Sequence, residues 1–328
     1  MVGMHGTYES NLAMHDCDVM INIGARFDDR VTGLIDKFSP GSKKIHVDID
    51  QSSINKNVEV DIPIVGDCAS VLADMIKVWK EYKPRRNIKA QNSWWTQIKK
   101  WRKRDCLGYN ASKNLIKPQY ALERLEALTK DRDTYITTEV GQHQMWAAQF
   151  LKFNSPNRWM TSGGLGTMGY GFPAAIGVQV AHPKATVIDV AGEASFLMNI
   201  QEMSTAIQYR LPVKVFILNN EYMGMVRQWQ ELLYEGRYSE SYTSSLPDFV
   251  KLAESYGAVG LRATNPNEVD EVIKEMLNND RFTIADIAID KSENCFPMIP
   301  SGAPHNEMLL GPDDEAKKPT SEEGMVLV

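Results

Sequence analysis

The sequence predicts an α/β protein made of two doubly wound, parallel-sheet domains. Short β-branched runs alternate with stretches of helical periodicity through most of the chain. Several of those runs end in glycine, asparagine or an acid, residues that suit the ligand-binding carboxyl edge of a parallel sheet. A basic, tryptophan-bearing stretch at 83–104 breaks the alternation into an earlier and a later series.

In the earlier series, 18–24 reads as a buried strand ending in glycine, and 44–50 as a second strand ending in acids. Ala69–Tyr82 has helical spacing, with Val71, Leu72, Met75, Ile76 and Trp79 on one face. Two or three strands are few for an independent sheet, so 1–82 reads as a partial domain. Residues 83–115 read as a linker and connecting helix with Trp94, Ile98 and Trp101 turned inward. The later series, 116–312, opens at Pro118, a good first-turn residue for a helix holding Leu122, Leu125 and Leu128. Strands are predicted at 134–138, 185–190, 213–218 and 283–289, and helices at 172–181, 199–209, 246–256 and 267–278. Residues 313–328 read as a loose tail.

Composition narrows the function. Of 328 residues, 43% are hydrophobic and 24% charged, the balance of a soluble globular chain. The stretch 83–104 holds nine Lys or Arg and no acid. Subtracting those nine charges from the net −6 leaves −15 elsewhere, which argues against nucleic acid and an anionic membrane. Four cysteines without CxxC spacing and six histidines without paired ligand spacing argue against a disulfide framework or a zinc knuckle. No apolar run approaches the roughly 18 residues of a spanning helix, and no secretory signal is evident, so the cytoplasm is expected.

Four stretches carry chemistry. In the first, a strand ends in Gly192-Glu193-Ala194 and the next in Asn219-Asn220. Both ends fall on one sheet edge, where Glu193 and Asn220 offer the hard oxygen ligands that Mg²⁺ takes when it bridges a diphosphate. The second is Ser162-Gly-Gly-Leu-Gly-Thr-Met-Gly-Tyr-Gly. Gly164, Gly166 and Gly169 match GxGxxG, and Asp189 lies twenty residues further on, as in a nicotinamide-dinucleotide fingerprint. Against that reading, the preceding Asn-Ser-Pro-Asn-Arg-Trp-Met does not look like a buried strand, and Pro173 sits just inside the next helix. In the third, Glu139-Val-Gly-Gln142-His143-Gln-Met-Trp follows a strand directly and can donate hydrogen bonds to phosphate oxygens. In the fourth, Met225 and Trp229 lie four apart on one helix face.

Together these stretches resemble the acetohydroxyacid (acetolactate) synthases, carboligases that use thiamine diphosphate and Mg²⁺. Gly192 to Asn220 is similar to the GDG…NN motif of thiamine-diphosphate enzymes, with Glu193 where the aspartate is usual; glutamate keeps the charge and reaches one methylene further. The resemblance implies Glu193, Asn220 and the main-chain carbonyl of Tyr222 as Mg²⁺ ligands. It implies Gln142, His143, Gly166, Met168, Gly192, Ala194 and Ser195 as cofactor contacts, with Met168 supporting the aminopyrimidine. Met225 would line the active site and Trp229 would shape the pocket for the second 2-oxoacid. In the earlier series, Gly3-Met-His-Gly-Thr, Gly24-Ala-Arg-Phe-Asp-Asp-Arg-Val-Thr-Gly, His46-Val-Asp-Ile-Asp and Gly66-Asp67 resemble the FAD-binding central domain of the same enzymes. That likeness assigns FAD contacts to His5, Gly24, Arg26, Asp28, Asp48 and Asp67, and sets Arg30 near the substrate entrance, where it could hold a carboxylate.

The implied activity is decarboxylation of pyruvate and transfer of the hydroxyethyl unit to pyruvate or 2-oxobutyrate, in branched-chain amino-acid biosynthesis. The implied partners are a second copy in a homodimer or homotetramer and a small regulatory subunit. The family's acid–base glutamate lies in an amino-terminal pyrimidine-binding domain with no counterpart among these residues. The chain therefore resembles a fragment, expected to be inactive by itself. Two alternatives stay open. Glyoxylate carboligases and pyruvate oxidases share the metal motif without the GARFDDRVTG and Gln-Trp pairing, and a nicotinamide-dependent dehydrogenase would explain the glycines.

Overall fold

The computed structural model describes residues 1–243 and 245–314, so the tail from 315 onward lies outside the described residues. The chain forms two compact units. One comprises Met1–Gly108 with the segment from Phe296 onward, and the other Tyr109–Cys295. These bounds differ from the divisions at 83 and 116 read in the sequence.

The first unit holds α1 (Tyr8–Asp16), β1 (Val19–Ile23), α2 (Asp29–Thr32), β2 (Lys43–Asp48), β3 (Ile62–Val65), α3 (Cys68–Tyr82) and α4 (Ile88–Arg102). Its sheet is parallel, in the order β1-β2-β3. Because all three strands run the same way, Gly24, Asp48 and Asp67 fall on one carboxyl edge. The sequence expectation that β1 is buried fails: Val19, Ile21 and Ile23 are exposed and Asn22 is the buried member. The α3 face carrying Leu72, Ile76 and Trp79 is exposed too. β3 has no signal of its own, since Pro63 interrupts a four-residue run. In α4, Trp94 and Trp101 pack edge to face at 5.6 Å, and the basic residues stay exposed. This helix packs on α1 within the unit. The segment from Phe296 belongs here because Ile299 N–H donates to Met4 O at 2.8 Å and Leu34 N–H to Ala303 O at 3.1 Å.

The second unit holds α5 (Pro118–Thr129), β4 (Thr134–Thr138), α6 (Gln142–Phe150), β5 (Trp159–Thr161), α7 (Gly171–Ala181), β6 (Thr186–Ala191), α8 (Glu193–Phe196), α9 (Met203–Gln208) and β7 (Lys214–Asn219). It continues through α10 (Gly224–Leu233), α11 (Phe249–Ser255), β8 (Val259–Ala263), α12 (Val269–Asn278) and β9 (Thr283–Ala288). Its six strands are all parallel, in the order β5-β4-β6-β7-β9-β8. Strand pleating sends alternate residues to opposite faces, and each face meets its own helices. Ile188, Val190, Phe216 and Leu218 pack with Leu122, Trp146 and Ile273. Val187, Ala191, Val215 and Ile217 pack with Phe172, Met203 and Phe249. The sheet is thus doubly wound. From β4 the chain moves out to β5 and then returns to place β6 on β4's other side, so the topological switch point lies between β4 and β6.

Candidate functional site

A cavity of about 250 Å³ opens at the carboxyl edge of the second unit's sheet. Its walls are the turn after β4, the glycine-rich turn before α7, the start of α8 and the turn from β7 into α10. Loops diverge at a switch point, which is where doubly wound sheets take ligands. Nearly all the residues singled out in the later series line it: Gln142, His143, Gly166, Met168, Gly192, Glu193, Ala194, Ser195, Asn220, Tyr222 and Met225. Trp229 does not. It is half-buried, one turn beyond Met225 on α10.

Close approach of backbone makes the cavity. A Cβ on Gly192 would fall 2.6 Å from His143 Nδ1, and one on Gly141, where φ is +155°, would fall 2.7 Å from His143 Cε1. His143 is therefore wedged between two glycine turns. Burial pushes its pKa down to about 3, only partly opposed by the Glu139 main chain, so the imidazole is neutral. Its Nε2 is buried and has no hydrogen-bond partner.

Glu193 is 1% exposed, and its Oε1 also lacks a partner. Burial pushes its carboxyl up to about 7, and the main-chain N–H groups of Asn220 and Tyr222 pull it back only in part. Asn220 Oδ1 accepts from Tyr222 N–H at 3.2 Å. A carboxylate, an amide oxygen and the Tyr222 turn therefore converge on the cavity wall. Among the described residues no group of three His, Cys, Asp or Glu side chains can hold a metal. The donor set here is of another kind, with one acid and neutral oxygens, and suits a hard cation whose remaining charge is met by phosphate oxygens. Two buried polar atoms without partners, facing a glycine-lined cavity, fit a metal–diphosphate group.

One carboxylate escaped the sequence reading of the site. Glu139 is fully buried, and its oxygens accept from Gly169 N–H at 2.7 Å, Phe172 N–H at 2.9 Å and Ser195 Oγ–H at 2.9 Å. It ties the β4 turn to the Met168 turn and to α8. It also answers the dinucleotide reading. A three-residue, half-buried edge strand, β5, does precede the glycines. Yet the N–H groups at the start of α7, which a pyrophosphate would need, already donate to Glu139. Asp189, the supposed ribose-binding acid, is fully buried within β6 and accepts from Thr137 Oγ1–H at 3.0 Å.

In the first unit, Gly24, Asp48 and Asp67 lie on the carboxyl edge and Arg26 and Asp28 in the turn after β1, and several of the residues assigned to FAD already have structural partners. Asp28 accepts from Arg30 N–H and caps α2, and Asp67 accepts from Ser70 N–H and caps α3. Asp48 accepts from Asp50 N–H at 2.8 Å and lies 3.7 Å from His46. Gly24 has φ +70°, a backbone conformation that favours glycine. His5 is buried, with Nδ1 2.9 Å from Pro297 O. The Arg26 guanidinium is exposed, 3.9 Å from Asp28, and Arg30 lies 3.9 Å from Asp29.

Comparison with known proteins agrees with this geometry. The profile of the thiamine pyrophosphate enzyme C-terminal TPP binding domain matches residues 139–287, and that of the thiamine pyrophosphate enzyme central domain matches 1–75. The chain is 49% identical over 313 residues to the acetolactate synthase isozyme 3 large subunit of Escherichia coli (strain K12), covering 94% of this chain and 54% of that protein. It is 47% identical over 319 residues to the acetolactate synthase large subunit of Haemophilus influenzae, covering 96% and 55%. It is 51% identical over 313 residues to that of Buchnera aphidicola subsp. Schizaphis graminum, covering 94% and 54%. The chain spans about half the length of these relatives.

Proposed function

This chain belongs to the thiamine pyrophosphate enzymes and is homologous to acetolactate synthase large subunits, and from that premise we propose that it carries the diphosphate and metal site of an acetolactate synthase-type carboligase. The observation that carries the proposal is the convergence of Asn220 with the unpartnered Glu193 Oε1 and His143 Nε2 on one cavity at the switch point.

Glu193, Asn220 and the Tyr222 carbonyl would hold Mg²⁺, while Gln142, His143, Gly192, Ala194 and Ser195 would meet the diphosphate. A neutral His143 donates from one ring nitrogen to a phosphate oxygen without adding charge. Gly166 admits the cofactor beside Met168, whose thioether would support the aminopyrimidine. When bound, thiamine diphosphate supplies the nucleophilic carbon and the electron sink for decarboxylation. The chain's own part is to fix that group and exclude water, with Met225 lining the site and Trp229 shaping the acceptor pocket. The substrates would be pyruvate as donor and pyruvate or 2-oxobutyrate as acceptor, with Arg30 holding a substrate carboxylate. His5, Gly24, Arg26, Asp28, Asp48 and Asp67 would contact FAD; the placing of Gly24, Asp48 and Asp67 on one sheet edge supports this. In the working enzyme the chain would act with a second copy and a small regulatory subunit, in the reducing cytoplasm suited to four free cysteines.

Calorimetry of the purified chain with thiamine diphosphate, with and without Mg²⁺, tests the reading. Mg²⁺-dependent binding, lost in Asn220→Ala, is expected. Equal binding without metal, or none at all, would overturn it. Co-purifying flavin absorbance tests the FAD assignment separately.

A further inference from the structure

We propose that Gln228 is a positioning residue for the metal ligand Asn220, acting through Gln142. The inference rests on the cofactor reading above. An amide side chain has oxygen and nitrogen ends of nearly the same shape, so its orientation is set by its partners. A main chain has no such freedom. Cys295 N–H donates to Gln228 Oε1 at 2.7 Å, and the Cys295 carbonyl accepts from Gln228 Nε2 at 3.1 Å. Only one orientation of the Gln228 amide satisfies both.

That orientation propagates. Gln228 Oε1 also accepts from Gln142 Nε2 at 2.8 Å, so Gln142 must present its nitrogen there, and the same nitrogen donates to Glu293 O at 3.3 Å. Gln142 Oε1 then points the other way and accepts from Asn220 Nδ2 at 3.2 Å. With its nitrogen engaged, Asn220 can offer only oxygen to the cavity. One acceptor site of that oxygen takes Tyr222 N–H, and an amide oxygen has a second for a cation. Were the relay reversed, Asn220 would turn its NH₂ toward the metal.

The three amides are 3%, 1% and 5% exposed in the order Gln142, Gln228, Asn220, so bulk water cannot substitute for a missing link. Gly224 leaves room for the relay. A Cβ there would fall 2.0 Å from Gln142 Oε1 and 2.8 Å from Asn220 Nδ2. Gln228 itself does not line the cavity, so its effect on the metal can only be indirect.

The test titrates Mg²⁺ into the 328-residue chain with thiamine diphosphate present and reads cofactor binding by calorimetry. Gln228→Met keeps the length and fills the space without holding the polarity. It should raise the Mg²⁺ midpoint by about 10–100-fold, the usual cost of losing an outer-shell partner. At saturating Mg²⁺ its cofactor binding should recover. Gln228→Glu, with a protonated carboxyl that still accepts from Cys295 N–H and Gln142 and donates to Cys295 O, should stay close to the wild-type midpoint. An unchanged midpoint in Gln228→Met, or an equal, Mg²⁺-independent loss in both variants, would overturn the relay while leaving the cofactor reading intact. Absence of cofactor binding by the wild-type chain would overturn both. If the variants do not fold, a crystal of the wild-type chain with Mn²⁺ and thiamine diphosphate decides the matter. Asn220 Oδ1 on the metal, with Gln142 still accepting from Asn220 Nδ2, supports the relay, and a Gln142 turned away from Asn220 refutes it.

Discussion

Glu193 and His143 face the same cavity with opposite electrostatic habits. Burial lifts the Glu193 carboxyl from 4.5 to about 7, so between those values the folded chain holds a proton that the unfolded chain has lost. Its contribution to stability is present below about 4.5, declines as pH rises to about 7, and is level above; the shift corresponds to roughly 3–4 kcal/mol at most. Mg²⁺ needs the ionised form. The apparent Mg²⁺ affinity should therefore rise about tenfold per pH unit up to about pH 7 and flatten beyond it. Calorimetric Mg²⁺ titrations with thiamine diphosphate from pH 5.5 to 8.5 would show that slope. Glu193→Gln should abolish it together with tight binding, whereas Glu193→Asp should keep it. For His143 the sign reverses. Its pKa falls from 6.5 to about 3, so the unfolded chain takes the proton first as pH drops below 6.5, and stability is lost down to about 3. His143→Gln should lose less stability than wild type between pH 6.5 and 5, measured as the shift of the urea midpoint. A parallel decline in the two proteins would contradict the burial account.

At the scale of elements, α7 shows how packing and the site share residues. Phe172 is fully buried against Phe196 and Phe282, with ring centroids 5.3 and 5.5 Å away, while its N–H donates to Glu139. Phe172→Ala should cost about 3–5 kcal/mol in chemical denaturation, the range for a buried aromatic truncated to a methyl. Gly171 is tighter. A Cβ there would fall 2.3 Å from Asp189 Oδ1 and 2.5 Å from Glu139 N, and neither a strand carboxylate nor a backbone nitrogen can give way easily. Gly171→Ala should therefore displace the Met168 turn and weaken thiamine diphosphate binding as well as stability. Unaltered cofactor affinity in that variant would mean that α7 does not position the turn.

For the molecule as a whole, ligand linkage gives a global check on the family assignment. A ligand that binds only the folded state at a hundred times its Kd stabilises it by about 2.7 kcal/mol. Thiamine diphosphate with Mg²⁺ should thus raise the thermal midpoint, and NADH should leave it unchanged, because Glu139 already occupies the start of α7. A rise with NADH would restore the dinucleotide reading.

The sequence by itself determined the alternation of the second unit, because β4, β6, β7 and β9 are β-branched runs that need burial on both faces and so leave a mark in composition. It also put Glu193 and Asn220 at strand ends on one sheet edge, since an acid beside glycine and a pair of amides stand out there. Short edge strands left no such mark, and β3, β5 and β8 went unread. The exposure of β1 was equally hidden, for an apolar run does not say whether anything covers it. Only the tertiary structure brought Glu139 onto the helix start of α7 and Cys295 onto Gln228, pairings made across 33 and 67 residues. Hydrogen bonds that long in sequence follow from how the loops meet at the switch point, and local patterning holds no trace of them.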